Sequence, residues 1–181
     1  MFSEIETTRL ILRPLRQEDR QVMIELHTDP RMTRFESDPP DTAKAALLVD
    51  AWLAHWTEHG YGYCAVTTRT NPDVIGLAGI RVRGFHGEGV LNLGYRFCPE
   101  VWGRGYAAEA AQAIVDWRAR NLPWMPLVAS VNVANERSGR VAERVGFSEY
   151  TEDYYDGAHS RHYRLEATHP ETRVHTSGHR D

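Results

Sequence analysis

The sequence is short of the residues that several functional classes require. It has two cysteines in 181 residues, Cys64 and Cys98, too far apart for a paired metal site, so both read as reduced structural residues. Nine histidines accompany them, yet no H-E-x-x-H or comparable Cys/His spacing occurs, and no metal is expected. There is no basic excess. With Lys+Arg 21 against Asp+Glu 25, the chain lacks the electrostatic footprint of a nucleic-acid or anionic-membrane binder. No apolar run approaches a bilayer's thickness, and the opening MFSEIETTRL has neither a basic nor an apolar leader region, so the expected compartment is the cytoplasm. Internal repeats are absent as well.

What is present suits one domain with one core: 41% of the residues are hydrophobic. Residues Thr8 to Leu15 alternate as a half-buried strand closing at Pro14. Helical periodicity follows over Glu18 to His27, stopped by Asp29-Pro30, and over residues 41–59, where Leu47, Leu48, Ala51, Trp52, His55 and Trp56 share a face up to Gly60. Strands are predicted at Tyr63 to Thr68, Val74 to Val82 and Val90 to Phe97, separated by a turn at Asn71-Pro72-Asp73 and a loop at Gly84 to Gly89. An alanine-rich helix spans Gly105 to Asn121, a strand Leu127 to Val133 and a helix Ser138 to Val145. Phe147 to Tyr155 and Arg161 to Leu165 read as a closing hairpin around Asp156-Gly157. The result is a mixed α/β sheet with helices on its faces over residues 1–166, followed by a polar aperiodic tail, 167–181, expected to stand outside the core.

Between the strand ending at Phe97 and the alanine-rich helix lies P-E-V-W-G-R-G-Y-A, residues 99–107. A strand feeding a glycine loop that opens a helix aims backbone N–H groups and the positive helix end at one spot, which suits a pyrophosphate. Gly103 and Gly105 permit close approach, Ala107 keeps the first turn small, and Arg104 can reach phosphate oxygens. For a lone G-x-G a plain tight turn is the better explanation, and neither a GxGxxG fingerprint nor a Walker loop is present. Residues 132–147 read N-V-A-N-E-R-S-G-R-V-A-E-R-V-G-F, placing Asn132 at a strand end and Asn135 and Ser138 at a helix start, where they either cap the helix or face a ligand.

Together these segments resemble the GNAT acetyltransferase superfamily, whose signature pairs [Q/R]-x-x-G-x-[G/A] with N-x-x-[A/S] and a terminal G-F. Trp102 stands where Gln or Arg is usual, and Ala142 where many members carry a general-acid tyrosine. Ser138 replaces the usual Ala, which, with T-T-R-L-I-L-R-P-L (7–15) and L-G-Y-R-F (93–97), is similar to the RimJ/RimL branch. The resemblance implies a mostly antiparallel sheet of about seven strands, with helices on both faces and two central strands splayed for the CoA arm.

It also implies acetyl-CoA as co-substrate and a primary amine as acceptor, either a protein N-terminus or a small molecule such as a polyamine, amino acid or antibiotic. The cofactor-binding residues would be Phe97, Trp102, Gly103, Arg104, Gly105, Tyr106, Ala107, Asn132, Asn135 and Ser138, with a main-chain N–H near Phe97 as oxyanion donor. Asn135 would hold the pantetheine or the loop, and Ser138 would help protonate the sulfur; these two are the catalytic candidates. Direct attack in a ternary complex is the expected route, because no nucleophile, base and orienter are visible together in the sequence. Asn92 occupies the position where this branch often has an acid, leaving Glu36, Asp38, Glu88 and Glu100 as alternative bases, each more simply a solvated charge, with a relayed water or no dedicated base equally open. Trp52 and Trp56 read first as core residues, on a helix that in this fold borders the acceptor cleft, and residues Phe35 to Asp38 would similarly border the amine. A monomer or homodimer, and a non-catalytic acyl-CoA-binding module, both fit the same sequence.

Overall fold

Strands with apolar side chains on both faces need helices on both sides, and the structure, a computed structural model, supplies them. Residues 2–155 and 157–168 are described. The strands are β1 (Ile5–Glu6), β2 (Leu10–Pro14), β3 (Tyr63–Thr68), β4 (Asn71–Phe85), β5 (Glu88–Phe97), β6 (Leu127–Asn132), β7 (Tyr150–Tyr155) and β8 (Ala158–Leu165). The helices are α1 (Arg20–Thr28), α2 (Pro30–Thr33), α3 (Thr42–His59), α4 (Tyr106–Asn121) and α5 (Glu136–Arg144). Among the described residues eight strands form one open sheet in the order β1-β2-β3-β4-β5-β6-β8-β7, antiparallel throughout except for the parallel β5–β6 pair.

One face packs against α4 and α5. Leu10, Leu12, Cys64, Val66, Ala78, Ile80, Leu91 and Leu93 meet Ala110, Ala111, Ile114, Ala142 and Val145 there. Alanines on α4 let the helix lie close to the sheet, which brings its N-terminus to the strand ends. On the opposite face, Tyr63, Ala65 and Leu77 pack against Met23 and Leu26 of α1 and Ala45, Val49 and Trp52 of α3. Asp41 caps α3 by accepting from the Lys44 N–H, and Gly60 ends it at φ +70°.

The β5–β6 pair positions the site. It is registered only at Leu91↔Leu127 and Asn92↔Val128. Beyond that point β5 stays with β4 as far as Phe97, while β6 stays with β8 as far as Asn132, so a wedge opens between them.

Several boundaries differ from the sequence reading. An additional edge strand, β1, raises the count to eight because the N-terminal segment folds back on β2. The turn expected at Asn71-Pro72-Asp73 is strand: Asn71 already pairs with Thr68, so the chain reverses at residues 69–70. The loop expected at Gly84 to Gly89 is also mostly strand, reduced to a tight turn at His86 and Gly87, whose φ values of 47° and 83° match the twist of a hairpin. Pro30 stops α1 as anticipated, but its fixed φ then starts the short α2. Residues 169–181, most of the predicted tail, lie outside the described residues, while Thr168 donates its N–H to the Pro123 carbonyl.

Candidate active site

Main-chain alternation decides what faces the wedge. Cys98 N–H donates to Ile75 O on the β4 side, whereas Leu91 N–H donates to Pro126 O on the β6 side. The two-residue period of a strand therefore turns the N–H groups of Tyr95 and Phe97 away from β4 and into the opening, where β6 has already departed. The Phe97 carbonyl is taken by the Trp102 indole N–H at 2.6 Å. Trp102 thus replaces a loop polar residue with an aromatic clamp. Two cations flank its ring at 5.8 Å, Arg34 and Arg137.

A cavity of about 1100 Å³ continues from the wedge. Phe97, Trp102, Gly103, Gly105, Tyr106, Ala107, Asn135 and Ser138 line it together, with Tyr95 and Arg96 from β5. Arg104 instead lines an adjoining hollow beside Gly103 and Gly105, with Arg9 and Arg144. Gly103 and Gly105 both hold φ at 78°, so the loop needs glycine for its backbone as well as for approach. A Cβ on Gly103 would meet no atom within 4 Å, which leaves the loop open to an incoming group.

Two long-range ties hold this loop. Glu109, in the first turn of α4, accepts from Thr7 Oγ1 at 2.6 Å, from Arg9 N–H at 2.8 Å and from Arg9 Nε at 2.7 Å. Burial alone would raise the Glu109 pKa, but these donors hold it below the ordinary carboxylate value. Arg9 also donates to the Arg104 carbonyl at 2.8 Å and lies over the Tyr106 ring at 4.7 Å.

Asn135 caps α5, its side chain accepting from Ser138 N–H at 3.2 Å. Tyr95 donates its hydroxyl to the Ser138 carbonyl at 2.8 Å, so the serine backbone, held from both ends, is fixed where the residue lines the cavity. Burial pushes the Tyr95 phenol well above its usual pKa, keeping it a neutral donor. Asn132 is placed differently from the other predicted residues. Its amide N–H donates to the Phe35 carbonyl and its oxygen accepts from Ala134 N–H, so it straps the loop at Phe35 to β6 and does not line the cavity.

Each alternative base is engaged elsewhere: Glu36 with Arg96 at 2.5 Å, Asp38 with Lys44, Glu88 with Arg164 and Glu100 with Arg31. Asn92 is buried, donating to the Tyr63 hydroxyl and accepting from Arg83. Sequence reasoning also missed a polar set on β6, β7 and β8, comprising Ser130, Asp153 and His162, because only strand pairing brings these residues together. A serine inside the apolar run Leu127 to Val131 was the one available signal. Among the described residues no group of three or more His, Cys, Asp or Glu is placed to hold a metal, and no helix is long and apolar enough to cross a membrane.

An unpaired strand edge, a glycine loop at a helix N-terminus and an arginine rim fit a long thioester bearing phosphates. Comparison with known proteins agrees. The sequence profile of the acetyltransferase (GNAT) domain matches residues 9–148. The uncharacterized protein YkkB of Bacillus subtilis is 30% identical over 148 residues, covering 80% of this chain and 84% of its own. An acetyltransferase from Agrobacterium tumefaciens superposes with a TM-score of 0.76 at 31% identity, over 92% of this chain and 95% of that one. A RimL ribosomal L7/L12 α-N-protein acetyltransferase, solved with coenzyme A, has the same fold: TM-score 0.67 and 16% identity over 91% and 98% of the two chains. The chain accordingly belongs to the GNAT acetyltransferase family and is an acyltransferase that uses acetyl-CoA.

Proposed function

We propose that the protein moves the acetyl group of acetyl-CoA to a primary amine by direct attack in a ternary complex. The observation that carries this reading is the wedge after Asn92 and Val128, with the Tyr95 and Phe97 N–H groups facing it and the Ser138 side chain on the same cavity. In this reading the pantetheine lies along β5. The N–H of Phe97 or Tyr95 stabilises the charge that develops on the thioester oxygen, and fixed donors of this kind are worth about 3 kcal/mol. Ser138 gives a proton to the departing sulfur, Asn135 holds the helix turn that presents it, and residues 102–107 cradle the pyrophosphate with Arg104 on the rim. Asn132 acts by position, tying the loop at Phe35 to β6.

The acceptor side is the sheet face bearing Arg96 and Asn92, with Glu36 of the α2–α3 loop paired to Arg96 over it, and a protein N-terminal amine is one acceptor proposed. One feature favours a second acceptor, a small amine. The loop at Phe35 to Ser37 is fastened at both ends, Phe35 O to Asn132 and Ser37 Oγ to Gly157 O, which narrows the approach. A reduced cytoplasm supplied with acetyl-CoA suits both acceptors, and the two cysteines are free thiols with raised pKa values from burial.

Thiol release from acetyl-CoA, measured across N-terminal peptides, polyamines, amino acids and aminoglycosides, tests the reading. Amine-dependent release that Ser138→Ala lowers about a hundredfold, with acetyl-CoA binding unchanged, is the expected result. Binding without release from any amine would instead identify a non-catalytic acyl-CoA-binding module.

A further inference from the structure

On the sheet face away from α4 and α5, a hydrogen-bonded chain crosses three strands. Ser130 Oγ on β6 lies 2.9 Å from His162 Nδ1 on β8, and His162 Nε2 lies 3.0 Å from Asp153 Oδ1 on β7. The second Asp153 oxygen lies 3.0 Å from His86 Nε2 in the β4–β5 turn. The His162 side chain is 2% exposed, while Asp153 and His86 are 38% and 53% exposed, so the chain runs from the interior to solvent. Because a carboxylate only accepts, His162 carries its proton on Nε2 and offers the Nδ1 lone pair to the Ser130 hydroxyl. This is an alcohol, a base and an orienter in sequence.

Its position ties it to the wedge. Ser130 follows Val128, the last β6 residue registered with β5, by two residues, and Gly94 follows its partner Asn92 by two, so both lie just beyond the parting of the strands on the same sheet face. Tyr63 fills the space above Gly94, its hydroxyl 2.8 Å from where a Cβ would stand. The N–H of Tyr95 lies one residue further along β5, a rise of about 3.3 Å. The Ser130 hydroxyl therefore lies on the same sheet face as Asn92 and Gly94, just past the point where β5 and β6 part.

We infer that Ser130, His162 and Asp153 form the proton relay that prepares the incoming amine, an assignment that rests on the acetyl transfer proposed above. An ammonium acceptor gives one proton to Ser130 as the Ser130 hydroxyl proton passes to His162 Nδ1, leaving an imidazolium beside the Asp153 carboxylate. The free amine then attacks the thioester carbon: the C–N bond forms, the C–S bond breaks, Ser138 gives its hydroxyl proton to the departing thiolate, and the second amine proton passes to Ser138, which is restored as the thiol leaves. His162 releases its proton to solvent along Asp153 and His86, and the relay is reset. Charged and titratable groups surround the imidazole on every side: Asp153 and Tyr155 on β7, Arg83 on β4, and His86 in the turn. Burial lowers the His162 pKa, Asp153 opposes this by charge and hydrogen bond, and Arg83 and His86 reinforce it, so the imidazole is neutral at neutral pH with its Nδ1 lone pair free to take a proton.

The test is kcat/KM against pH, from about pH 6 to pH 10, for the wild type, Ser130→Ala and His162→Gln, with the best amine of the panel. Ser130→Ala removes one hydroxyl and keeps the fold if His162→Gln does not. Both variants should lose about a hundredfold at neutral pH, with the deficit shrinking as the pH approaches the amine's own pKa, and acetyl-CoA affinity should stay within about twofold of wild type. A wild-type profile in the variants, or an equal loss at every pH, would overturn the relay. So would an acetyl adduct on Ser130 found by mass spectrometry without amine, which would make Ser130 a nucleophile. Wild-type protein that binds acetyl-CoA but acetylates no amine removes the transfer reading itself, and the relay with it.

Discussion

Arg9 and Glu109 lie 100 residues apart in sequence, yet the Arg9 guanidinium places Nε and Nη2 at 2.7 and 2.6 Å from Glu109 Oε2 while the Arg9 main-chain N–H reaches the other oxygen. This pair gives the T-T-R-L opening a physical purpose. It fastens the N-terminal strand to the first turn of α4, directly behind the glycine loop, and so sets where the loop's N–H groups point. Arg9 is 46% exposed, which limits what the charge pair alone contributes to stability; its weight falls on loop position.

Replacing Glu109 with Gln is therefore expected to weaken acetyl-CoA binding about tenfold, equivalent to about 1.4 kcal/mol, with little change in kcat. Calorimetric titration alongside steady-state kinetics reads both quantities. A loss confined to kcat would contradict the assignment of this pair to loop position.

Gly105 caps α4 at φ +78°, where a β-branched side chain is strained by about 1–2 kcal/mol. Gly105→Val should cost a similar amount of binding energy for acetyl-CoA because the loop must leave its conformation to relieve the strain. Unchanged affinity would mean that the loop backbone does not hold the phosphates.

Tyr95 supports Ser138 through a hydrogen bond to its carbonyl. Tyr95→Phe leaves that carbonyl without its partner at a cost of about 1–2 kcal/mol. The α5 turn should loosen, lowering the melting temperature and reducing kcat by about tenfold, less than the loss at Ser138 itself. If Tyr95→Phe matched Ser138→Ala in kcat with no change in melting temperature, the phenol would be the proton donor and Ser138 only its neighbour.

His27 on α1 carries the clearest pH signature of stability. Burial lowers its pKa to about 3, with the Arg96 charge acting in the same direction and the Met23 carbonyl opposing, against a value near 6.5 when exposed. The folded imidazole stays neutral where the unfolded one protonates. Its contribution is therefore complete above pH 6.5 and is lost as the pH falls toward 3, by at most about 1.4 kcal/mol per pH unit. Urea midpoints at about pH 7 and pH 4.5 should separate further for the wild type than for His27→Gln. Equal separation would show that carboxylates, not His27, govern acid unfolding.

Much of the architecture was legible because periodicity is a local property. The helical period over residues 41–59, closed by Asp41 and Gly60, became α3, but its packed face is Ala45, Val49 and Trp52, while Leu47 and Leu48 of the expected face are exposed; the alanine-rich stretch after Gly105 became α4. The glycine loop and Ser138 were recognisable from chain order alone, since a strand end and a helix start need no distant partner to be predicted. Boundaries went astray where glycine and proline were given more weight than pairing: Asn71 to Asp73 and Gly84 belong to β4 because β3 and β5 supply hydrogen bonds there.

Relations across the sheet were decided only by the tertiary structure. Nothing in the chain shows that Asn132 would face the Phe35 carbonyl, that four candidate bases would each find a cationic partner, or that β6 would leave β5 after Val128. Strand register likewise gathers Ser130, His162 and Asp153, residues scattered over 33 positions in the order Ser, Asp, His. The sequence by itself determined most of the elements, their order and the glycine loop ahead of α4, because each follows from local spacing of apolar, small and capping residues. Side-chain partnerships within the site depend on which strands pair and where they part, and that is set by packing of the whole sheet between its two helical layers.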